Sequence, residues 1–122
     1  MAYFRKMKKV FHPDIEDIAP ADVFAALADP IRLAILVALA DVSEVDKARC
    51  SHFTEFASPS LLSYHFAKLR EAGITRMRTE GTSRYLSIRR DELNQRFPGL
   101  IDSVIETARR DSNLPRLSEA LS

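Results

Sequence analysis

The sequence predicts a mostly α-helical domain that carries one small antiparallel β-hairpin. Apolar residues recur at helical spacing along most of the 122 residues, two pairs of a capping residue and proline mark helix starts, and two β-prone runs flank Gly81. A chain of this length buries roughly two thirds of the surface that its unfolded form exposes. We therefore expect one packed core.

The composition excludes several classes of protein. Apolar residues make up 46% and charged residues 29% of the chain, a balance typical of folded globular proteins rather than of disordered ones. No run approaches the ~20 apolar residues that cross a bilayer. The basic start leads into His12 and Pro13 rather than into the apolar segment of a signal peptide. One cysteine, Cys50, excludes an internal disulfide. These features predict a cytoplasmic protein with no membrane partner.

The periodicity divides the chain into three parts. The first residues have no clear period, so we expect residues 1–18 to form a basic N-terminal arm, 19–113 the folded domain and 114–122 a tail. The first predicted helix spans residues 21–28, where Val23, Phe24 and Leu27 follow the i, i+1, i+4 spacing of an amphipathic helix.

Asp29 and Pro30 predict the start of the second helix. The aspartate can accept a hydrogen bond from a backbone N–H of the first turn, and proline at the first helical position loses no donor that the helix needs. The helix should run to about Ala40, and it is apolar nearly all round, which is typical of a helix at the centre of a core.

The middle of the chain predicts a loop, a short helix and a longer one. Residues 41–49 are polar and acidic and predict a loop with room for a turn of helix. Residues 50–56 could form a short helix with Phe53 and Phe56 inward. Ser58 and Pro59 then predict a helix that ends at Gly73. Its buried stripe is Leu62, Phe66 and Leu69, and its outward residues include Ser60, Leu61, Ser63, Tyr64 and Lys68.

The hairpin and the tail helices follow. Residues 75–78 and 83–88 are β-prone runs around a turn that contains Gly81. A helix should begin near Asp91, with Leu93 and Phe97 inward, and Pro98 and Gly99 interrupt it. The last helix has a continuous apolar stripe that a small core could leave partly uncovered, so a second subunit is the natural candidate. That stripe comprises Leu100, Ile101, Val104, Ile105 and Ala108.

The charges are unevenly distributed along the chain. Residues 59–90 carry seven basic and two acidic side chains, whereas residues 11–58 carry three basic and nine acidic ones. A basic segment in an otherwise neutral chain can bind phosphates. A solvated charged face is the alternative.

A short helix, a capped helix and a two-stranded ribbon follow one another in the order of a winged helix-turn-helix. The chain resembles the ArsR family of small bacterial transcriptional regulators over about residues 23–88. The similar runs are ALADPIRLAIL at 26–36, SYHFAKLREAGI at 63–74 and RTEGTSRYLSI at 78–88. The run RRDELNQRFPGLI at 89–101 resembles a branch of the family that does not sense metals.

The resemblance implies a homodimer, joined by its terminal helices, that represses by binding an imperfect inverted repeat in double-stranded DNA. The family's DNA-binding positions in the recognition helix correspond to Pro59, Ser60, Leu61, Ser63, Tyr64 and Lys68, and the wing adds Arg78, Thr82 and Arg84. The expected dimer interface comprises Val23, Phe24, Leu27, Phe97, Leu100, Ile101, Val104, Ile105 and Ala108.

Several of these positions have a competing interpretation. Leu61 could contact a thymine methyl group or lie in the core. For His65, a structural hydrogen bond is favoured over a contact with DNA, and Arg32 is expected in a structural or phosphate-facing ion pair. Arg78 and Arg84 could simply be solvated. The basic residues of the arm, which could reach DNA or merely aid solubility, are Arg5, Lys6, Lys8 and Lys9.

Metal and redox chemistry have weak support. Cys50, His52 and His12 would make a poor zinc site without a carboxylate, so we expect no metal and no cofactor. Cys50 as a redox switch would need an intermolecular disulfide or a sulfenic acid, and a buried structural thiol is favoured. If the regulator responds to a ligand, we expect that ligand to be a small-molecule effector, which the sequence does not identify.

Two other functional classes compete with DNA binding. An enzyme would pair Cys50 with His52 or His65, but no orienting carboxylate or oxyanion site is identifiable, so we expect no catalysis. A winged helix that docks proteins without binding DNA is the stronger alternative. Binding to DNA should weaken steeply with salt, whereas protein docking should not.

Overall fold

The computed structural model of the chain describes residues 10–42 and 48–118. Within these residues it contains five α-helices, one three-stranded sheet and two 3-10 helices, Ile15–Asp17 and Cys50–Phe53. The α-helices are α1 Pro20–Leu27, α2 Pro30–Ala40, α3 Pro59–Glu71, α4 Arg90–Arg96 and α5 Leu100–Arg109. The strands are β1 Ala48–Arg49, β2 Thr75–Glu80 and β3 Ser83–Ile88.

The two predicted capping signals are confirmed. The Asp29 carboxylate accepts hydrogen bonds from the backbone N–H groups of Ile31 at 2.8 Å and Arg32 at 3.1 Å. The Ser58 hydroxyl accepts one from Leu61 N–H at 3.3 Å. Both caps satisfy backbone donors of a first turn, and proline follows each of them. As predicted from its apolar sequence, α2 is largely buried.

The sheet contains one strand more than the sequence predicted. β2 and β3 form the predicted hairpin around Gly81, whose φ of +59° suits glycine. On its other edge β3 pairs with β1, where residues 41–49 were expected to form a loop. Ala48 is buried and lies opposite Leu86. A strand of two residues forms through this pairing, not through a local signal. Residues 43–47 lie outside the described residues.

The predicted short helix over residues 50–56 is a 3-10 helix that ends at Phe53. The Phe53 side chain is fully buried and meets the Phe66 ring edge-on, with centroids 5.8 Å apart. Phe56 is half-buried at the margin of the core. This aromatic pair fixes the inner face of α3 against the segment that precedes it.

The helices after the wing close the domain. α4 buries Leu93, and Gly99, with φ of +77°, permits the turn into α5. α5 packs against α2 and α4. Residues 10–18 lie along the outside of the hairpin and of α4, and Ile18 is buried against Gly73 at the end of α3.

Among the described residues, no single helix is long and apolar enough to span a membrane; α1 and α2 would qualify only as a pair, and they are bent by 97°. The elements α2, α3 and the β2–β3 hairpin follow one another in this order and pack on one core, which is the arrangement of a winged helix-turn-helix. In this fold α3 occupies the position of the recognition helix and the hairpin is the wing.

Candidate nucleic-acid interface

The outer face of α3 presents the residues that the sequence analysis singled out. All six are exposed, while the inner face of the helix is buried. Leu61 is 43% exposed and therefore lies on the outer face, not in the core. The six residues are Pro59, Ser60, Leu61, Ser63, Tyr64 and Lys68.

Tyr64 and Lys68 form a small cluster on this face. The Lys68 ammonium lies 5.4 Å from the centroid of the Tyr64 ring, a cation–π distance. Tyr64 also meets the His65 ring edge-on, with the ring centroids 5.5 Å apart. One turn of helix separates Tyr64 from Lys68, so both side chains lie along the same stripe and could contact one ligand together.

His65 and Arg32 have structural roles. The Arg32 guanidinium lies 3.0 Å from His65 Nδ1 and donates a second hydrogen bond to the Ala26 carbonyl. Arginine has donors only, so His65 Nδ1 accepts and the neutral ring carries its proton on Nε2. Burial lowers the pKa of His65, and Arg32 lowers it further against the opposing effect of Asp29. With His65 only 4% exposed, the pair anchors α3 to the α1–α2 connection.

Two of the wing's arginines, Arg78 and Arg84, lie on opposite faces of the hairpin. Arg78 lies across from Tyr85 and Arg84 across from Thr79, and successive residues of a strand alternate between faces. Arg78 donates to the Glu80 carboxylate at 3.0 Å and lies 5.2 Å from the centroid of the Tyr85 ring. Arg84 and Thr82 are exposed. The two arginines therefore cannot make equivalent contacts with a ligand.

Arg49, on β1 beside the wing, is a basic residue that sequence reasoning missed. It pairs with Tyr85 across β1 and β3, and its guanidinium lies 5.9 Å from the centroid of that ring. Arg49, Tyr85 and Arg78 thus form one row across the three strands. Hydrogen bonds with Ser83 and Arg49 lower the pKa of Tyr85. No signal in the sequence could have placed Arg49 here, because the row depends on β1.

A groove of about 1340 Å³ separates α3 from the wing. Arg70, Arg78 and Arg84 contribute to its lining, together with Ser63 of the recognition helix, and no carboxylate is among the described residues that line it. Arg78 is partly neutralised by its ion pair with Glu80, and the remaining excess of cationic side chains along the lining favours an anionic ligand. The groove is thus electrostatically suited to a phosphodiester backbone.

The residues expected at a dimer interface fall into two groups. Five are buried within the single chain: Val23, Leu27, Ile101, Ile105 and Ala108. Phe97, Leu100 and Val104 are half-buried, and Phe24 is 55% exposed. The second group alone offers apolar surface to a partner, because α2 and the rest of the core cover the first.

Cys50 is half-buried, and burial raises the pKa of its thiol to about 11 against the opposing effect of Arg84. The thiol is therefore protonated near neutrality, which disfavours nucleophilic or redox chemistry. In residues 10–42 and 48–118, no three His, Cys, Asp or Glu side chains are grouped so that they could hold a metal ion. The basic residues Arg5, Lys6, Lys8 and Lys9 lie outside the described residues.

Comparison with known proteins adds two relatives. The chain is 33% identical over 91 residues to the uncharacterized HTH-type transcriptional regulator YceK of Bacillus subtilis, covering 73% of this chain and 89% of that protein. It is 31% identical over 104 residues to the HTH-type transcriptional regulator KmtR of Mycobacterium tuberculosis, covering 85% of this chain and 76% of KmtR. No family model matches the chain.

Proposed function

This chain belongs to the helix-turn-helix (HTH)-type transcriptional regulators, and from this premise we propose that it is a repressor of the ArsR type. It acts in the cytoplasm as a homodimer on an inverted repeat in double-stranded DNA, without catalysis and without a bound metal. The observation that carries the proposal is the continuous exposed face of α3 beside a groove lined by cations.

Different side chains of the interface are suited to contact bases and to contact phosphates. Ser60, Ser63 and Tyr64 have hydroxyl groups that can donate to or accept from base edges in a major groove. Leu61 offers an apolar contact to a thymine methyl group. Lys68 on the outer face of α3, together with Arg84 and the other cations of the groove, binds phosphates, which orients the helix without reading sequence.

The dimer proposed here uses the apolar surface that the single chain leaves open. Phe24 on α1 is an exposed large apolar side chain, and Leu100 and Val104 on α5 are only half-buried. A partner that covers these side chains removes them from water, which is favourable. Two copies joined in this way would present two α3 helices to one duplex, as an inverted repeat requires.

A small-molecule effector would find space in the groove between α3 and the wing. Occupation of this groove would compete with DNA for Arg84 and for the first turn of α3. A ligand that binds only the DNA-free form lowers the fraction of protein bound to DNA.

The decisive experiment measures the affinity for DNA as a function of salt. We select duplexes from a random-sequence pool with the wild-type protein and compare Lys68→Ala and Arg84→Ala with Arg110→Ala. Arg110 is an exposed arginine at the end of α5 that does not line the groove. The slope of log K against log salt should fall by about 0.9 for each phosphate interaction that a variant removes, and by twice that in a dimer. Arg110→Ala should leave the slope unchanged.

The competing function, a winged helix that docks proteins, predicts a different outcome. The wild-type protein would then show a shallow dependence on salt and would enrich no sequence from the pool. That result would overturn the proposal.

A further inference from the structure

The segment from Val10 to Pro13 is tied to three separate elements of the domain. The Phe11 carbonyl accepts a hydrogen bond from Arg70 of α3 at 3.1 Å. His12 Nε2 accepts one from the backbone N–H of Met77 on β2 at 3.0 Å. The Pro13 carbonyl accepts one from Arg89, between β3 and α4, at 2.7 Å. The segment therefore connects the recognition helix with the wing.

We infer that residues 10–13 form a strap that holds the wing in its DNA-binding position relative to α3, and that His12 is the positioning residue of this strap. The inference rests on the proposed function, because it concerns the two elements proposed to contact DNA. Val10, Phe11 and His12 also line the groove between these elements.

The hydrogen bond between His12 and Met77 lies at the free edge of β2, where no further strand of the described residues pairs. β2 is an outer strand of the sheet, paired on one side with β3. The Met77 N–H points away from β3, so its hydrogen-bond partner must come from outside the sheet. His12 supplies the acceptor, and the imidazole can do so only while Nε2 carries no proton.

The surroundings of His12 are mainly cationic. Arg70 of α3, Arg76 of β2 and Arg89 lie near the ring, and Glu92 of α4 binds the latter two at 2.8 and 2.9 Å. Arg78, Arg90 and Asp91 line the same depression as His12. Burial and the arginines lower the pKa of His12 against the opposing effect of a hydrogen bond with the Val10 backbone, so the ring is mostly neutral at pH 7.

Protonation of His12 destabilises the contact between the strap and β2 in two ways. It converts the acceptor into a donor that faces another donor, the Met77 N–H, and it adds a positive charge beside three arginines. The bond to β2 then breaks, while the carbonyl contacts of Phe11 and Pro13 contain no group that titrates with His12. Acidification should therefore loosen the wing relative to α3, and we expect this loss of positioning to outweigh the attraction of the new charge for phosphates, so that DNA binding weakens.

The test compares His12→Gln and His12→Ala with the wild-type protein on the selected duplex. The glutamine amide oxygen can accept from Met77 N–H and does not titrate. Near neutral pH we expect His12→Gln to bind within about twofold of wild type and His12→Ala to bind about fivefold more weakly, as for loss of one partly buried hydrogen bond. As the pH is lowered below 6.5, wild type should lose affinity progressively relative to His12→Gln, up to about fivefold once His12 is protonated.

His52→Gln is the matched control, because His52 is exposed and lies outside the strap. It should retain the wild-type pH profile, and any effect of His65 is common to all variants. A His12→Gln profile parallel to that of wild type would overturn the inference, as would His12→Ala binding as tightly as wild type.

A second measurement does not depend on DNA. Exchange of the Met77 amide hydrogen should be slow in wild type and His12→Gln, and about fivefold or more faster in His12→Ala. Equal exchange in all three would overturn the strap even if DNA binds. Protected exchange together with absent DNA binding would overturn the proposed function and, with it, the role of the strap in positioning the wing.

Discussion

Replacement of Gly73 by alanine tests the junction between α3, the wing and residue 18. Gly73 has φ of +82°, and a Cβ at this position would lie 2.0 Å from Ile18 Cδ1 and 2.6 Å from Cγ1. The left-handed conformation costs alanine about 1 kcal/mol. Displacing a packed side chain adds about 1–3 kcal/mol. We therefore expect Gly73→Ala to destabilise the fold by about 2–4 kcal/mol.

Gly99→Ala is the matched control for the backbone cost. Its φ of +77° is nearly the same, but nothing lies within 4 Å of the added Cβ. This variant should cost only about 1 kcal/mol. In thermal unfolding at fixed protein concentration, a domain near this size loses about 4 °C per kcal/mol, so Gly73→Ala should melt well below Gly99→Ala.

The double variant Gly73→Ala/Ile18→Ala separates the steric cost. Ile18→Ala alone should cost about 2–4 kcal/mol because the side chain is buried. In the double variant the overlap is removed, so the total should be smaller than the sum of the single effects by about 1–3 kcal/mol. Additive effects, or Gly73→Ala as stable as Gly99→Ala, would refute the argument from close approach.

Three further predictions concern the interface, the dimer and the acid limit of stability. Tyr64→Phe should lose about 1–3 kcal/mol at particular base pairs if the hydroxyl reads bases; an equal loss on unselected DNA would make it a backbone contact. Phe24→Asp/Val104→Asp should sediment as a folded monomer, because charges on a covered apolar surface are costly; a dimer in ultracentrifugation would place the interface elsewhere. The pKa of His65 is lowered from 6.5 and that of Glu92 from 4.5 to about 2. Because both pKa values are lower in the native state than in the unfolded state, the native state binds fewer protons as the pH falls. Stability should therefore decrease below pH 6.5, where the unfolded state protonates His65, and decrease again between pH 4.5 and about 2 because of Glu92. In urea unfolding, Glu92→Gln should lack the second decline, and an unchanged acid profile would contradict this assignment.

The sequence predicted those parts of the fold that depend on local signals. Asp29 and Ser58 each precede a proline, and both helices begin where these pairs stand. The outward face of α3 followed from the spacing of Leu62, Phe66 and Leu69, because one turn of helix fixes which residues share a face.

Features that depend on distant contacts could not be predicted in this way. β1 exists through its pairing with β3, so neither the strand nor the position of Arg49 beside Tyr85 had a local signal. In α5 the apolar spacing could not distinguish burial inside the chain from burial in a dimer. Ile105 is covered within the chain, while Val104, its neighbour, is only half-buried. His12 lies in a segment without periodicity, where a single histidine carries no pattern.

The bond between His12 and Met77 also has a consequence for self-association. A three-stranded sheet has two edge strands, and here one of them is β1, which is only two residues long. The other is β2, six residues long, and His12 covers its Met77 amide. Unpaired main-chain groups on an edge strand can pair with a strand of another molecule. Removal of the His12 side chain should thus raise the tendency of concentrated protein to form intermolecular β-structure.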